Sequence, residues 1–216
     1  MALFYLYSIM TKTKINGRDN KITFIFAHGA GAPMDSEWMN DVTKRLVLQG
    51  IRVVRFEFPY MADRRLTGTK RPPNKKDVLL ETFKEVILQE AVKSQKLFIG
   101  GKSMGARMAS LILDEVAAVT GLIAFGFPFH APGKDPKDRI NHLHKLKKPC
   151  LILQGERDPM GNREECRQYK LSKKIEFEWL VDGDHSLKPR KKSGITLQEN
   201  MDKAIQAAQN FINKNI

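Results

Sequence analysis

The stretch that most constrains this chain is Gly101-Lys102-Ser103-Met104-Gly105, a G-x-S-x-G pentapeptide set between two contrasting patterns. Before it runs a short apolar segment, Leu97-Phe98-Ile99, followed by a glycine pair. After it, Met104, Met108, Leu111 and Ile112 recur at helical spacing. Strand, sharp turn and helix meeting at one serine is the context of a nucleophile elbow. The glycines are there for a physical reason. Side chains two before and two after the serine would collide with the neighbouring strand and helix, and the turn forces the serine into a strained backbone conformation. A serine at a helix N-terminus also sits where free N–H groups favour developing negative charge.

The rest of the chain alternates strand and helix patterns. Residues 22–27 (Ile-Thr-Phe-Ile-Phe-Ala) form a nearly continuous apolar run, as in a strand buried on both faces of a parallel sheet. The run ends in His28-Gly29-Ala30-Gly31, where small residues let backbone approach closely. A helix capped by Asp35 or Ser36 follows to about Gln49, burying Trp38, Val42 and Leu46, and Gly50 stops it. Further strands are read at 51–58, 121–126, 149–155 and 175–180. Helices are read at 77–93 (Val78, Phe83, Val86 and Ile87 inward), from the elbow to about 118, at 140–146, 163–171 and 197–213. The basic segment 59–76 reads as a long loop, a lid or an insertion. This alternation predicts an α/β fold: three layers, α/β/α, with a mostly parallel central sheet and no separate cap domain, residues 1–216 forming one domain. In such sheets sites sit at the C-terminal ends of strands.

Composition narrows the function classes. Lys and Arg number 37 against 24 Asp and Glu, a formal charge of +13. The bases are spread along the chain and no nucleic-acid module is among them, so they read as solvated surface and no nucleic-acid partner is expected. Cys150 and Cys166 have neither metal spacing nor a disulfide framework, which fits a reducing, cytoplasmic setting. The apolar start, residues 1–10, is too short to span a membrane and reads as a first strand or a poorly ordered start. No metal-ligand cluster or dinucleotide fingerprint appears, so neither metal nor cofactor is expected.

Three strand ends carry chemistry: Ser103, then Asp158, then His185. A serine hydroxyl is a weak nucleophile until a histidine takes its proton, and that histidine needs a buried carboxylate to fix its tautomer. Glu156 is the nearest competitor for the acid, with Asp182 and Asp184 behind it; Asp184 adjoins His185, and neighbouring side chains point apart. The oxyanion donors would be the backbone N–H of Met104 and that of Ala30. Of the other histidines, His28 reads as structural to its loop, His130 as lining the pocket, and His142 and His144 as surface helix residues.

These motifs (His28-Gly-Ala-Gly, Gly101-Lys-Ser-Met-Gly, Gln154-Gly-Glu-Arg-Asp-Pro and Asp184-His185) resemble the α/β-hydrolase superfamily, most of all its small, cap-less, dienelactone-hydrolase-like branch. Phe58-Pro-Tyr-Met, Arg71-Pro-Pro and His130-Ala-Pro-Gly-Lys are similar to the group around testis-expressed protein thirty and the third NSL-complex subunit. The resemblance implies a serine hydrolase with Ser103, Asp158 and His185 as triad. Dienelactone hydrolases proper use a cysteine nucleophile where this chain has Ser103.

The expected function is hydrolysis of carboxylic esters or related acyl substrates through an acyl-serine intermediate. The alternative is a catalytically idle hydrolase-fold scaffold, a role that chromatin-complex relatives imply. Lys102, Arg107, the 64–71 bases (Arg71 among them) and the basic run at 188–192 are expected to face one rim, favouring a small anionic acyl substrate. A monomer or dimer is expected.

Overall fold

The computed structural model describes residues 11–131, 133 and 135–216; the expectation for residues 1–10 lies outside them. In chain order the elements are β1 (Thr13–Asn16), β2 (Ile22–Ala27), α1 (Glu37–Leu48), β3 (Ile51–Phe56), α2 (Pro59–Thr67), α3 (Lys76–Ala91), β4 (Lys96–Lys102), α4 (Met104–Ile112), β5 (Val119–Phe125), α5 (Lys137–Ile140), β6 (Cys150–Gly155), α6 (Arg163–Cys166), β7 (Ile175–Leu180) and α7 (Leu197–Lys214). The sheet runs β1-β3-β2-β4-β5-β6-β7. Among the described residues only the edge strand β1 is antiparallel, pairing Thr13 with Phe56, and β4, which leads into the serine, lies at the centre.

The period-two alternation of strands buried on both faces divides the core. Ile25, Val54, Ile99, Leu122 and Ile152 point into one apolar layer, against α3 and α4. Phe24, Phe26, Val53, Phe98, Ile123 and Leu153 point into the other, against α1 and α7. The anticipated three-layer α/β/α architecture is therefore the observed one.

Several local expectations need correction. Residues 59–67 are a helix. Pro59 occupies its first turn, Tyr60 and Met61 are buried, and Gly68, at φ 72°, closes it by donating its N–H to the Arg64 carbonyl. Proline at the start and glycine past the end are helix punctuation, which the charged face between them masks. On α3 the inward residue is Leu79, while Val78 is 43% exposed. The helix after the serine ends at Ile112, and Asp114 beyond it turns to accept the N–H groups of Lys147 and Lys148. β5 begins at Val119, α6 is a single capped turn, and residues 141–145 form a 3-10 turn. The edge strand β1 was not anticipated; its four residues, Thr-Lys-Ile-Asn, carry no apolar run.

Candidate active site

Ser103 stands between β4 and α4 with φ 52° and ψ −113°, a conformation an L-residue adopts only under constraint. The constraint is visible in its neighbours. A Cβ on Gly101 would lie 2.6 Å from the Ala27 carbonyl oxygen, and one on Gly105 would lie 2.6 Å from that oxygen and 2.7 Å from the His28 one. Helix α4 can pack this close to β2 only because both positions lack a side chain. Met104 is the first residue of α4, so its N–H has no intrahelical acceptor.

His185 lies in the loop after β7. Asp184 shapes that loop by accepting the N–H groups of Ser186 (2.7 Å) and Lys188 (3.0 Å). Four successive carbonyls of the loop receive side-chain donors from four separate places. Lys102 donates to the His185 carbonyl. Trp38 Nε1 donates to Ser186 (3.3 Å), Asn200 to Leu187 (2.9 Å) and Arg157 to Lys188 (3.1 Å). Two glycines make room: a Cβ on Gly126 would meet the His185 oxygen at 2.6 Å, and one on Gly155 would meet the Gly183 oxygen at 2.3 Å.

Asp158 is fully buried after β6. Its Oδ1 accepts from the Met160 N–H (2.8 Å), and its Oδ2 from Gln154 Nε2 (2.9 Å) and His185 Nδ1 (2.7 Å). Gln154 also accepts from the Phe127 N–H at 2.7 Å and so ties the ends of β5 and β6 together. On the far side of the imidazole, His185 Nε2 is 2.8 Å from Ser103 Oγ. The rival acids are occupied elsewhere: Glu156 holds Arg163 and the Asp182 N–H, and Asp182 pairs with Arg190 and Arg157. Three residues from three strand ends thus form one hydrogen-bonded line. Nδ1 donates to the carboxylate, which leaves Nε2 to accept the serine proton.

The facing loop, 28–33, follows β2. His28 is buried and its tautomer is dictated by two backbone partners: Nε2 accepts from the Phe58 N–H (3.1 Å), so Nδ1 carries the proton toward the Gly29 oxygen (2.7 Å). Burial lowers its pKa and keeps it neutral. A Cβ on Gly29 would lie 3.7 Å from Ser103 Cβ, which places this loop directly against the serine.

The remaining expectations fare unevenly. Lys102 is not a rim cation. Its ammonium is turned inward to the His185 carbonyl and over the Trp38 ring, 5.4 Å from its centroid. Burial pushes its pKa down to about 8, with Asp158 and Asp184 opposing. Arg64 donates to the Gly31 carbonyl (3.1 Å), Arg65 grips Glu57 and Asp35, and Arg190 is paired with Asp182. Arg71 is exposed between α2 and α3. His130 is buried, its ring nitrogens placed by the Ala131 carbonyl (3.0 Å) and Glu165 (3.3 Å). His142 is half-buried rather than on the surface: its Nε2 lies 2.8 Å from Ser110 Oγ, and burial, with the Arg107 charge, lowers its pKa to about 4. Trp38 and Tyr60 have no assigned part in the site from sequence, and Gln154 enters there only as the first residue of the Gln154-Gly-Glu-Arg-Asp-Pro motif. In the sequence Tyr60 stands only within Phe58-Pro-Tyr-Met, at the start of a segment that reads as a loop. Among the described residues no helix is long and apolar enough to cross a membrane, and no group of three or more His, Cys, Asp or Glu could hold a metal ion.

Comparison with solved structures gives the same fold at low identity. Est1E from Butyrivibrio proteoclasticus, solved with ferulic acid bound, is 15% identical over 94% of this chain and 95% of its own, with a TM-score of 0.66. A Pyrococcus furiosus esterase is 18% identical over 94% and 87%, with a TM-score of 0.71. A dienelactone hydrolase from Anabaena variabilis is 16% identical over 95% and 92%, with a TM-score of 0.70. The family described as "Alpha/beta hydrolase domain" matches residues 20–213, nearly the whole chain. With its sheet order, its strained serine and this match, the chain belongs to the alpha/beta hydrolase family.

Proposed function

We propose that this protein is a serine hydrolase of carboxylic esters or related acyl substrates, working through an acyl-serine intermediate. What carries the reading is the unbroken line from Ser103 Oγ to His185 Nε2 (2.8 Å) and from His185 Nδ1 to Asp158 Oδ2 (2.7 Å). Ser103 Oγ attacks the acyl carbon while its proton passes to His185 Nε2. The carbonyl oxygen becomes an oxyanion facing the N–H groups of Met104 and Ala30. Asp158 stabilises the imidazolium by accepting from Nδ1–H. Collapse breaks the bond to the leaving alcohol, which takes the proton from Nε2. Water then repeats the sequence on the acyl-serine, releasing the acid and restoring Ser103.

Esterases and a dienelactone hydrolase among the structural neighbours are in keeping with the acyl chemistry. We place the chain in the small, cap-less, dienelactone-hydrolase-like branch, in the group around testis-expressed protein thirty and the third NSL-complex subunit. Its two buried free thiols fit a cytoplasmic enzyme. Because Lys102, Arg64, Arg65 and Arg190 are engaged within the protein, an anionic preference falls to exposed bases such as Arg71.

Labelling of purified protein by a fluorophosphonate probe, beside Ser103→Ala, tests the reading. Labelling that vanishes in the variant supports an activated serine. Folded wild type that takes no label overturns it and leaves the idle scaffold.

A further inference from the structure

The loop facing Ser103 makes an arrangement that the triad does not account for. Three successive carbonyls of this loop, those of Gly29, Ala30 and Gly31, are each held by a side chain. His28 Nδ1 holds the Gly29 oxygen at 2.7 Å. The Tyr60 hydroxyl lies 2.9 Å from the Ala30 oxygen and 3.4 Å from that of Gly29. Arg64 Nη1 holds the Gly31 oxygen at 3.1 Å. Tyr60 and Arg64 come one turn apart on α2, and the Phe58 N–H at the mouth of α2 bonds His28. One short helix therefore governs the whole series.

Peptide geometry gives this consequence. In a trans peptide the N–H points opposite to the carbonyl of the preceding residue, and no peptide is cis among the described residues. Holding the Gly29 oxygen sets the direction of the Ala30 N–H, and holding the Ala30 oxygen sets that of Gly31. The loop is rich in glycine and alanine, so its backbone has little stiffness of its own. Burial raises the Tyr60 pKa, so the phenol stays a donor. The ring is anchored independently of its hydroxyl, with the Tyr60 side chain buried and the His28 ring 5.9 Å away.

We infer that Tyr60 is a positioning residue: from α2 its hydroxyl fixes the Ala30–Gly31 peptide at 2.9 Å and, at 3.4 Å, shares with His28 the Gly29 oxygen that sets the Ala30 N–H, so that Ala30 is held on both sides with its N–H toward the place where the oxyanion forms. This inference rests on the hydrolase reading and deepens it. The start of the segment that reads from sequence as a lid or an insertion works as a brace for the oxyanion loop. A brace of this kind acts on the transition state, since the oxyanion exists only there.

Tyr60→Phe removes one oxygen and keeps the ring. With p-nitrophenyl acetate we expect kcat to fall about tenfold with KM within about twofold, the signature of an interaction made only in the transition state. A merely structural role would not change the preference for an oxygen ester over the matched thionoester; here that preference should shrink with kcat. Arg64→Gln, at the next carbonyl, should move both in the same direction by about threefold, and it reports if Tyr60→Phe does not fold. Unchanged kcat and unchanged preference in the folded variants overturn the inference, as does a rise in KM alone. If wild type is labelled by fluorophosphonate at Ser103 while Tyr60→Phe behaves identically, this inference alone fails. If wild type neither takes the label nor turns over ester, the hydrolase reading fails and this inference with it.

Discussion

The two loops that flank Ser103 are held by the same device on different scaffolds. On the histidine side, the carbonyls of residues 185–188 are gripped by Lys102, Trp38, Asn200 and Arg157, which belong to β4, α1, α7 and the turn after β6. On the oxyanion side, the carbonyls of residues 29–31 are gripped by His28 and by two residues of α2. The first arrangement is redundant across the molecule; the second depends on one nine-residue helix. The difference matches the demands on each loop. On the proposed mechanism the histidine loop carries a side chain that must gain and lose a proton while keeping both of its hydrogen bonds, and several anchors share its support. On the same mechanism the 28–33 loop would offer a backbone N–H, whose direction follows from the plane of its peptide. Single substitutions among the anchors should therefore do less harm on the histidine side than on the oxyanion side.

The largest effect should come from the carboxylate that holds His185. Asp158→Asn keeps the shape but sets an amide donor against Gln154 Nε2 and offers His185 the wrong tautomer; kcat should fall on the order of 10⁴-fold, with a stability loss of about 1–3 kcal/mol. Equal activity in steady-state assays would show that the Asp158–His185 contact is not used. Next comes a change that defeats redundancy by moving the histidine loop as a block. The added Cβ of Gly155→Ala would meet the Gly183 and Asp184 oxygens at 2.3 and 2.4 Å. We expect a loss of roughly 2–4 kcal/mol in urea unfolding, together with most of the activity.

Removing one anchor should matter far less. Lys102→Met takes the ammonium from the His185 carbonyl but leaves three neighbouring carbonyls held, so kcat should fall only about threefold, less than for Tyr60→Phe. Adding Trp38→Phe, which removes the next donor, should cost more than the sum of the two single changes; simple additivity would mean the anchors are independent. Lys102 also leaves a signature in pH. Its pKa is pushed down to about 8 in the folded protein against 10.5 for an ordinary lysine. Between those values the unfolded chain binds more protons, so this group's contribution makes stability rise with pH. Over pH 8 to 10 the urea midpoint of wild type should climb relative to that of Lys102→Met, and a constant gap would argue against a buried ammonium. The smallest effect is a control on neither flank. Thr196 caps α7 in a reciprocal pair with Glu199; Thr196→Ala should cost about 1 kcal/mol of stability and leave kcat untouched.

Much of this site was legible from sequence because its chemistry is written in residue type and order. A strained serine needs glycines on both sides, so Gly101 and Gly105 announced Ser103. A histidine and a carboxylate at later strand ends followed from the order of the chain. Choosing Asp158 over Glu156, Asp182 and Asp184 was a matter of position; the structure gives a physical ground, because the other three are spent on Arg163, on Arg190 and on backbone N–H groups. The bases were harder to read. Lys102 and Arg64 look like rim charges, yet each is drawn to a backbone carbonyl. Composition counts charges but does not say which are turned inward. Helix α2 escaped notice because its buried face is two residues wide, Tyr60 and Met61, beneath a run of charge.

By itself, the sequence determined the alternation of buried strands and amphipathic helices, the tight turn at Ser103 and the types of group available at the strand ends. Those are local consequences of hydrophobic period and of where only glycine fits. Tertiary structure alone decided which carboxylate meets His185, which cations serve as anchors and which helix holds the carbonyls of residues 29–31. Each of those outcomes depends on a hydrogen bond between residues distant in the chain, such as the 82 positions between Ser103 and His185. Such a bond needs a donor and an acceptor within about 3 Å in the right direction, and only the packed sheet and its helices bring those atoms together.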